Sequence, residues 1–370
     1  MIPASYSTNF YPTNFPEFAG SYLDLHFERS KMICLLKNIA LMFYWLIATI
    51  FFTCRADAAL LTAGFFSGQI DQYDLLGGAK TTFATVASAG DPFPGLAGIA
   101  INPTNNQVFV SARVSNRIYS FNGSTGAPVG FHQLPSGSSP AGLTFSSTGT
   151  LYVSNFGTNT VNSFNVANNS LFSTVNSLTI PNALPSGVAF DNSGRLLIST
   201  FGGLGVLASN ASLSTPTTFA SEVNANGQIA VDAQGNVYVG SAATSSNVFK
   251  FSSTGSPVGN PWLTLALPTP PQPFASPDLT SPSGVAIDPN GNIIVGALGQ
   301  TNPTSASDSF QSNGGLFRFS PNAAQLFSFG TGTTPYSSLA ISPIPEPTSF
   351  LLVLATMLTG SLVQRTRKLE

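Results

Sequence analysis

Gly187–Ser199 reads GVAFDNSGRLLIS, and the same phrase returns along the chain. Gly98 opens GIAINPTNNQVFVS, Gly142 opens GLTFSSTGTLYVS, Gln228 opens QIAVDAQGNVYVG and Gly284 opens GVAIDPNGNIIVG; Ser338 opens SLAISP, a truncated copy. The openings lie 44, 45, 41, 56 and 54 residues apart. In each full copy a short apolar run meets a turn, and a second apolar run then ends in Ser or Gly. The turns Asp191–Gly194, Asp232–Gly235 and Asp288–Gly291 put Asp first and Gly last, the residues that tight turns demand. The phrase is therefore a hairpin: strand, turn, strand.

A third strand follows at Arg117–Phe121, Thr160–Phe164, Val248–Phe251 and Leu316–Phe319, with a weaker fourth after it. Four antiparallel strands in roughly 40–45 residues make one propeller blade. Five hairpins predict five blades, numbered here from Gly98 onward. The sixth blade is divided between the ends: Leu60–Gly64 resembles a second strand, Gly68–Tyr73 a third, and SLAISP supplies a first. Joined, these pieces close the ring as a clasp and remove the open edges that invite aggregation. The expected fold is all-β, a six-bladed β-propeller over 59–343.

The phrase P-x-G-[LV]-[AT]-[FI]-[DNS]-x-x-G stands at Pro140, Pro185 and Pro282. It resembles the repeats of the NHL family and of the related gluconolactonase-like propellers, over most of 60–342. The Gly-His and Trp-Asp signatures of WD-type blades are missing. In metal-dependent lactonase-type propellers, acid and amide ligands surround the central mouth. Those ligands do not map onto this chain residue by residue, so the resemblance implies the fold more firmly than an activity.

The two ends have a different character. Ile39–Phe52 (IALMFYWLIATIFF) is a 14-residue apolar run, preceded by Lys31 and Lys37 and followed by Ala56-Asp57-Ala58 before Ala59. A basic region, a short apolar region and an A-x-A site are the three parts of a secretory signal, which signal peptidase would cleave before Ala59. Met32 makes a conventional start for it, leaving 1–31 as an overextended start or a long basic region. An uncleaved anchor is the alternative. At the other end, Pro345-Glu346-Pro347 precedes the apolar Thr348–Val363, and Arg365, Arg367 and Lys368 follow. Sixteen apolar residues are slightly short for a helix crossing a hydrocarbon core of about 30 Å, and the basic cluster holds that end in the cytoplasm. Motif, hydrophobic helix and basic end closely resemble the PEP-CTERM sorting signal. The resemblance implies that an exosortase-type membrane protease recognises the tail (344–370) and removes it near the motif; a plain C-terminal anchor is the alternative. With 32–58 as signal peptide, the propeller is expected outside the cytoplasm.

Charged residues make up 8% of the 370, against about 25% in ordinary soluble proteins, so Ser, Thr, Asn and Gly must build the surface. Thirty Phe and a 43% hydrophobic content supply a sizeable core. A net charge of −2 excludes a nucleic-acid footprint as a partner class. Cys34 and Cys54 both fall in the N-terminal apolar segment, so the propeller has no thiol for a disulfide, a nucleophile or a metal.

The acids of the propeller are Asp71, Asp74, Asp91, Asp191, Glu222, Asp232, Asp278, Asp288 and Asp308. Asp191, Asp232 and Asp288 share one place in the hairpin turn. Calcium ligation is one reading; a side chain bonding its own turn is the better one, because the spacing is not that of an EF-hand. His132, the propeller's sole histidine, falls in a fourth strand towards the rim, and no nucleophile–base constellation accompanies it. No catalytic residue, cofactor or metal is expected.

Two long connections flank the fifth hairpin: Leu265–Ser283 (LALPTPPQPFASPDLTSPS) before its first strand and Ala297–Asn313 (ALGQTNPTSASDSFQSN) after its second, of 19 and 17 residues. Loops between blades and loops between second and third strands leave the same end of a blade, and long loops on a rigid scaffold are where function concentrates. The candidate ligand-binding residues on that face are Arg113, Phe156, Phe201, Trp262, Phe274, Asp278, Asp308 and Phe310. Aromatics with a few polar groups suit carbohydrate or peptide. The function expected is an exported, surface- or matrix-associated, non-catalytic binding or scaffold protein, its partner an exopolysaccharide or another exported protein. The alternative is an extracytoplasmic gluconolactonase-like hydrolase or lyase.

Overall fold

The computed structural model describes residues 58–65, 67–75, 80–86, 94–167, 171–241, 245–259, 261–265, 281–298, 315–329 and 336–342. All lie in the second of two compact units, Asp57–Glu370. The sorting motif and tail, Ala56, and the apolar run before it lie outside the described residues.

Every described element is a strand, and the strands form six sheets of four. β1 (Ala59–Gly64), β2 (Gln69–Asp74) and β3 (Thr81–Thr85) come first in the chain. Blade 1 follows as β4 (Leu96–Ile101), β5 (Val108–Ala112), β6 (Arg117–Phe121) and β7 (Pro128–Gln133). Blade 2 is β8 (Pro140–Phe145), β9 (Thr150–Asn155), β10 (Thr160–Ala167) and β11 (Leu171–Thr179). Blade 3 is β12 (Pro185–Phe190), β13 (Leu196–Thr200), β14 (Val206–Ser209) and β15 (Thr217–Ala220). Blade 4 is β16 (Ile229–Val231), β17 (Val237–Val239), β18 (Asn247–Phe251) and β19 (Leu263–Thr264). Blade 5 is β20 (Gly284–Ile287), β21 (Ile293–Ala297), β22 (Gly315–Phe319) and β23 (Gln325–Phe329). The final strand, β24 (Tyr336–Ile341), pairs antiparallel with β1, giving the sixth sheet the order β24-β1-β2-β3. The clasp expected from the end fragments is therefore present, with Ser338 opposite Ala63 and Leu339 opposite Thr62.

The inner strands are neighbours in the cyclic order β4, β8, β12, β16, β20, β24 and back to β4. Side chains agree with that ring, because each of the six apolar clusters lies between two successive blades. Leu61 and Ile70 of the clasp blade meet Leu96, Val110 and Phe121 of blade 1. Ala286, Ile294 and Leu316 of blade 5 meet Leu60, Tyr73 and Leu339 from the other side of the clasp. Strand residues alternate between the two faces of a sheet, so one strand feeds both layers: Val108 and Val110 point one way, Phe109 the other.

The repeated phrase has its letters for physical reasons. In the hairpin turn the last residue donates to the first, Gly194 N to Asp191 O at 3.0 Å and Gly291 N to Asp288 O at 2.9 Å. These glycines take φ of 82° and 80°, which side chains rarely tolerate. The opening glycine answers to crowding instead. A Cβ on Gly98 would stand 2.1 Å from the Ala141 carbonyl oxygen of the next blade, and one on Gly187 would stand 2.3 Å from Gly227 O. The serine that ends the second strand completes the joint. Ser111 Oγ accepts from Gly98 N at 2.8 Å and donates to Ala141 O at 2.5 Å. Ser154 does the same with Gly142 (2.8 Å) and Ser186 (3.0 Å), and Ser199 with Gly187 (2.8 Å) and Gly227 (2.6 Å). In each of blades 1 to 3 one hydroxyl thus ties the inner strand to its neighbour, whereas blades 4 and 5 carry Gly240 and Gly296 at that place.

Two details differ from the sequence reading. Blade 3 has a third strand, Val206–Ser209, that the repeat pattern did not single out. The fourth strand of blade 4 shrinks to two residues, because Pro257 and Pro261 interrupt the run that precedes it and proline cannot donate to a ladder.

Candidate binding mouth

Successive antiparallel strands reverse, so loops from second to third strands and loops between blades emerge at one end of the ring, and hairpin turns at the other. Arg113, Phe156 and Phe201 occupy the same place in blades 1, 2 and 3, two residues past the serines of the interblade joint. Each is anchored by its own backbone to the loop that enters its blade: Arg113 N to Gly95 O (2.9 Å), Phe156 N to Ser139 O (3.1 Å) and Phe201 N to Leu184 O (3.0 Å).

The side chains then lean on one another across the blade boundaries. The Arg113 guanidinium lies over the Phe156 ring, 3.9 Å from its centroid, and the Phe156 and Phe201 centroids are 5.8 Å apart with the rings tilted by 59°. Arg113 Nε donates to Ser139 Oγ at 3.0 Å. Burial holds the guanidinium below its ordinary pKa, although Arg stays a cation in proteins. Among the described residues no carboxylate lies within ion-pair distance of it. Phe201 is exposed, and Val114 and Leu204 beside the strip are 53% and 42% exposed, forming an apolar border around one cation.

Ser139 and Leu184, which carry the anchoring carbonyls, have φ of 49° and 44°. Non-glycine residues there are uncommon and are held by their surroundings. Asn116 Oδ1 receives Ser139 N and Asn159 Oδ1 receives Leu184 N, both at 2.8 Å. Sequence reading missed Ser139, Asn116 and Asn159 because their partners are 23 to 26 residues away. The one available signal was that Asn116 and Asn159 sit alike, just ahead of a third strand.

Of the other expected site residues, the described one, Trp262, does not join this strip. Trp262 packs in the layer between blades 4 and 5, edge-on to Tyr238 (5.1 Å) and Phe319 (6.4 Å). Its Nε1 donates to Pro321 O at 3.3 Å, in the turn at the opposite end of blade 5, so it is a packing residue away from the loop face. Phe274, Asp278, Asp308 and Phe310 lie outside the described residues. The stems of their two connections do meet: Leu298 N donates to Ser281 O at 3.1 Å, so both leave the same end of blade 5.

Towards the hairpin-turn end, first strands line a cavity of about 300 Å³ with Ile99, Pro103, Leu143, Thr144, Phe145 and Val188. Gln228, which replaces the opening glycine in blade 4, reaches it too. Its Nε2 donates to Leu339 O (2.6 Å), and its Oε1 accepts from Leu339 N (2.9 Å) and Val285 N (3.1 Å). The side-chain amide satisfies the inner edges of two first strands and ties blade 4 to the clasp.

The turn acids bond their own hairpins. Asp191 Oδ1 accepts from Ser193 N and Arg195 N, each at 2.9 Å. Burial pushes this carboxyl up, but the Ser193 hydroxyl and Arg195 outweigh it and hold the pKa low. Asp232 accepts from Asn236 N (2.8 Å), and Asp288 from Asn290 N (2.8 Å) and Asn292 N (2.9 Å). Asp288 also pairs with the buried Arg318, whose Nη1 donates to Leu75 O of the clasp blade at 3.1 Å. Burial, then the Asp232 carboxylate, raises the Tyr238 pKa. Asp71 is buried against Lys80 at 2.7 Å, Asp74 is exposed, and Glu222 Oε1 accepts from Asn224 N at 3.2 Å. Asp91 lies outside the described residues. His132 stacks on Phe172, 4.5 Å away at 15°, with Phe164 edge-on at 5.6 Å. Among the described residues no three His, Cys, Asp or Glu come together as a metal site.

No protein-family model matches the chain, and no curated protein matches it. Solved structures do. A chain of the nidogen/laminin complex is 14% identical, covering 77% of this chain and 98% of that one with a TM-score of 0.56. A streptogramin B lyase is 15% identical (62% and 69% covered, TM-score 0.45), and a gluconolactonase from Xanthomonas campestris 16% identical (64% and 86%, 0.41). At such identities the likeness speaks for the fold alone. The chain is a six-bladed β-propeller with a loop-face mouth.

Proposed function

We propose that the chain is an exported, surface- or matrix-associated propeller that binds rather than catalyses, and that it binds at the loop-face mouth. The observation that carries this reading is the Arg113–Phe156–Phe201 strip: three blades place a side chain at one equivalent position, and the three form a continuous cation–aromatic surface open to solvent. Among the described residues the first-strand cavity has no acid side chain in its lining, and this supports binding over the lactonase-like alternative, which needs several acid and amide side chains converging there. Its amide, Gln228, is already committed to backbone. Export rests on the Ala56–Ala58 signal and the Pro345-Glu346-Pro347 tail, with signal peptidase, an exosortase-type protease and the membrane as partners in sorting. An exopolysaccharide or another exported protein is the partner at the mouth.

Two measurements test the reading. In a host with an exosortase, intact-mass analysis of exported protein should find the chain ending near Pro347; recovery of Glu370 in that material overturns the sorting part. A glycan-binding screen with the full chain and Phe201→Ala tests the mouth. Phe201 is exposed, so its loss should leave folding unchanged while weakening whatever the wild type retains.

A further inference from the structure

We infer that the mouth is built for an acidic saccharide, with a carboxylate on the outer edge of Arg113 and a sugar ring against Phe201. This rests on the reading of the mouth as a binding surface and names its ligand class. Three observations on the strip lead there.

The first is how Arg113 is held. Its Nε edge is taken by Ser139 Oγ and one of its faces is covered by Phe156. The terminal Nη edge remains, and among the described residues it meets no acceptor. That edge is a planar two-donor fork whose geometry matches a carboxylate. Fixing the guanidinium from behind lowers the ordering cost of a ligand that meets its front.

The second is the charge count. Arg117, the nearest cation along the chain, is turned outward: its Nε donates to Gln133 Oε1 at 2.8 Å and its guanidinium lies over Phe131, 4.6 Å from the centroid. Among the described residues one positive charge faces the mouth there, which suits a monoanion such as a carboxylate better than a phosphodiester chain, whose binders gather several cations.

The third is the surface beside the charge. Phe201 continues the strip from Phe156 and is 38% exposed. The C–H face of a pyranose carries slight positive charge and packs on the negative face of an aromatic ring. A chain of such rings can run from blade 1 to blade 3. A peptide carboxylate would satisfy Arg113 as well, but it would want a pocket for its side chain, and the border here is open.

The test uses the full chain and three probes: polygalacturonate, its methyl-esterified form, and free galacturonic acid. Wild type should retain polygalacturonate, bind the esterified polymer about tenfold or more weakly, and lose affinity as salt rises. Arg113→Gln should weaken polygalacturonate about tenfold, Arg113→Lys should restore it only in part, and Phe201→Ala should weaken acidic and esterified polymers alike. Free acid competing at the same site identifies the single sugar as sufficient; failure to compete, with polymer bound, identifies the chain as the ligand. Thermal unfolding of each variant separates lost binding from lost fold. Equal binding of both polymers, or no effect of Arg113→Gln in a folded variant, overturns the acidic assignment while a Phe201→Ala loss still upholds the mouth. Retention unaffected by either substitution overturns the mouth reading itself, and no retention of polygalacturonate overturns the inference outright.

Discussion

Gly98, Gly142 and Gly187 show how one residue can fix the distance between blades. A Cβ on Gly142 would lie 2.6 Å from Ser186 O, backbone that cannot yield without moving the next blade. Gly142→Ala should therefore cost about 1–3 kcal/mol, as overpacking does in a closed core. Gly284→Ala is the contrasting case, because its Cβ would meet the flexible Leu339 side chain at 3.1 Å. Urea unfolding of the two variants should rank them in that order. Ser154→Ala removes the hydroxyl between Gly142 N and Ser186 O, and should cost about 1 kcal/mol by leaving part-buried backbone unpaired. The sequence revealed that second strands end in Ser or Gly, yet not what the hydroxyl bonds, since Ser154 reaches a residue 32 positions on. His132 shows the same limit: its place in a fourth strand was legible, its stack on Phe172 was not. Burial holds the His132 pKa below 6.5, so as pH falls the unfolded chain takes the proton first. Stability should be full above about pH 6.5 and decline below it, and His132→Phe should flatten that part of the profile while keeping the stack.

At the scale of elements, the clasp is the joint on which the ring depends. β24 supplies Leu339 to the layer between blades 5 and 6, Ser338 Oγ to Ile99 N of blade 1 at 3.2 Å, and backbone to Gln228 of blade 4. Arg318 bridges Asp288 of blade 5 to Leu75 O beyond the same seam. Deleting Ser338–Pro343 should therefore lower the melting temperature of the whole domain in one transition, by well over the ~2–4 °C that about 1 kcal/mol moves a protein of this size. An unchanged melting temperature would mean that the ring does not need its sixth blade. The clasp was legible because its leftover pieces are copies of whole strands. The two-residue β19 was less so, since prolines shortened it while Trp262 turned inward to fill the gap between blades. Reading Trp262 as a mouth residue followed from its nearness in sequence to the long connection at 265–283. The indole instead obeys the packing layer, where a large apolar ring with one donor finds both Phe319 and Pro321 O.

For the whole molecule, the question is how the mouth is divided around the ring. Blades 1 to 3 give it a cation–aromatic wall, and blade 5 sends out its two longest connections from the same end, as the Leu298 N to Ser281 O bond at their stems requires. Those connections hold Phe274, Asp278, Asp308 and Phe310 in stretches of 19 and 17 residues. The first is Pro-rich and the second polar, with one Phe each. Loop entropy grows slowly with length, so such insertions burden the fold little and need not be kept by it. Replacing 266–280 and 299–313 with short Gly/Ser turns should then leave the melting temperature within a few degrees, because every cluster of blade 5 draws on strand residues that the change retains. Retention of polygalacturonate should fall in the same variant if side chains of the connections also touch the ligand, because lost contacts speed dissociation. If folding is lost, the connections are plugs that complete the core. If folding and retention both survive, the strip on blades 1 to 3 is the entire site, and the long connections play no part in it.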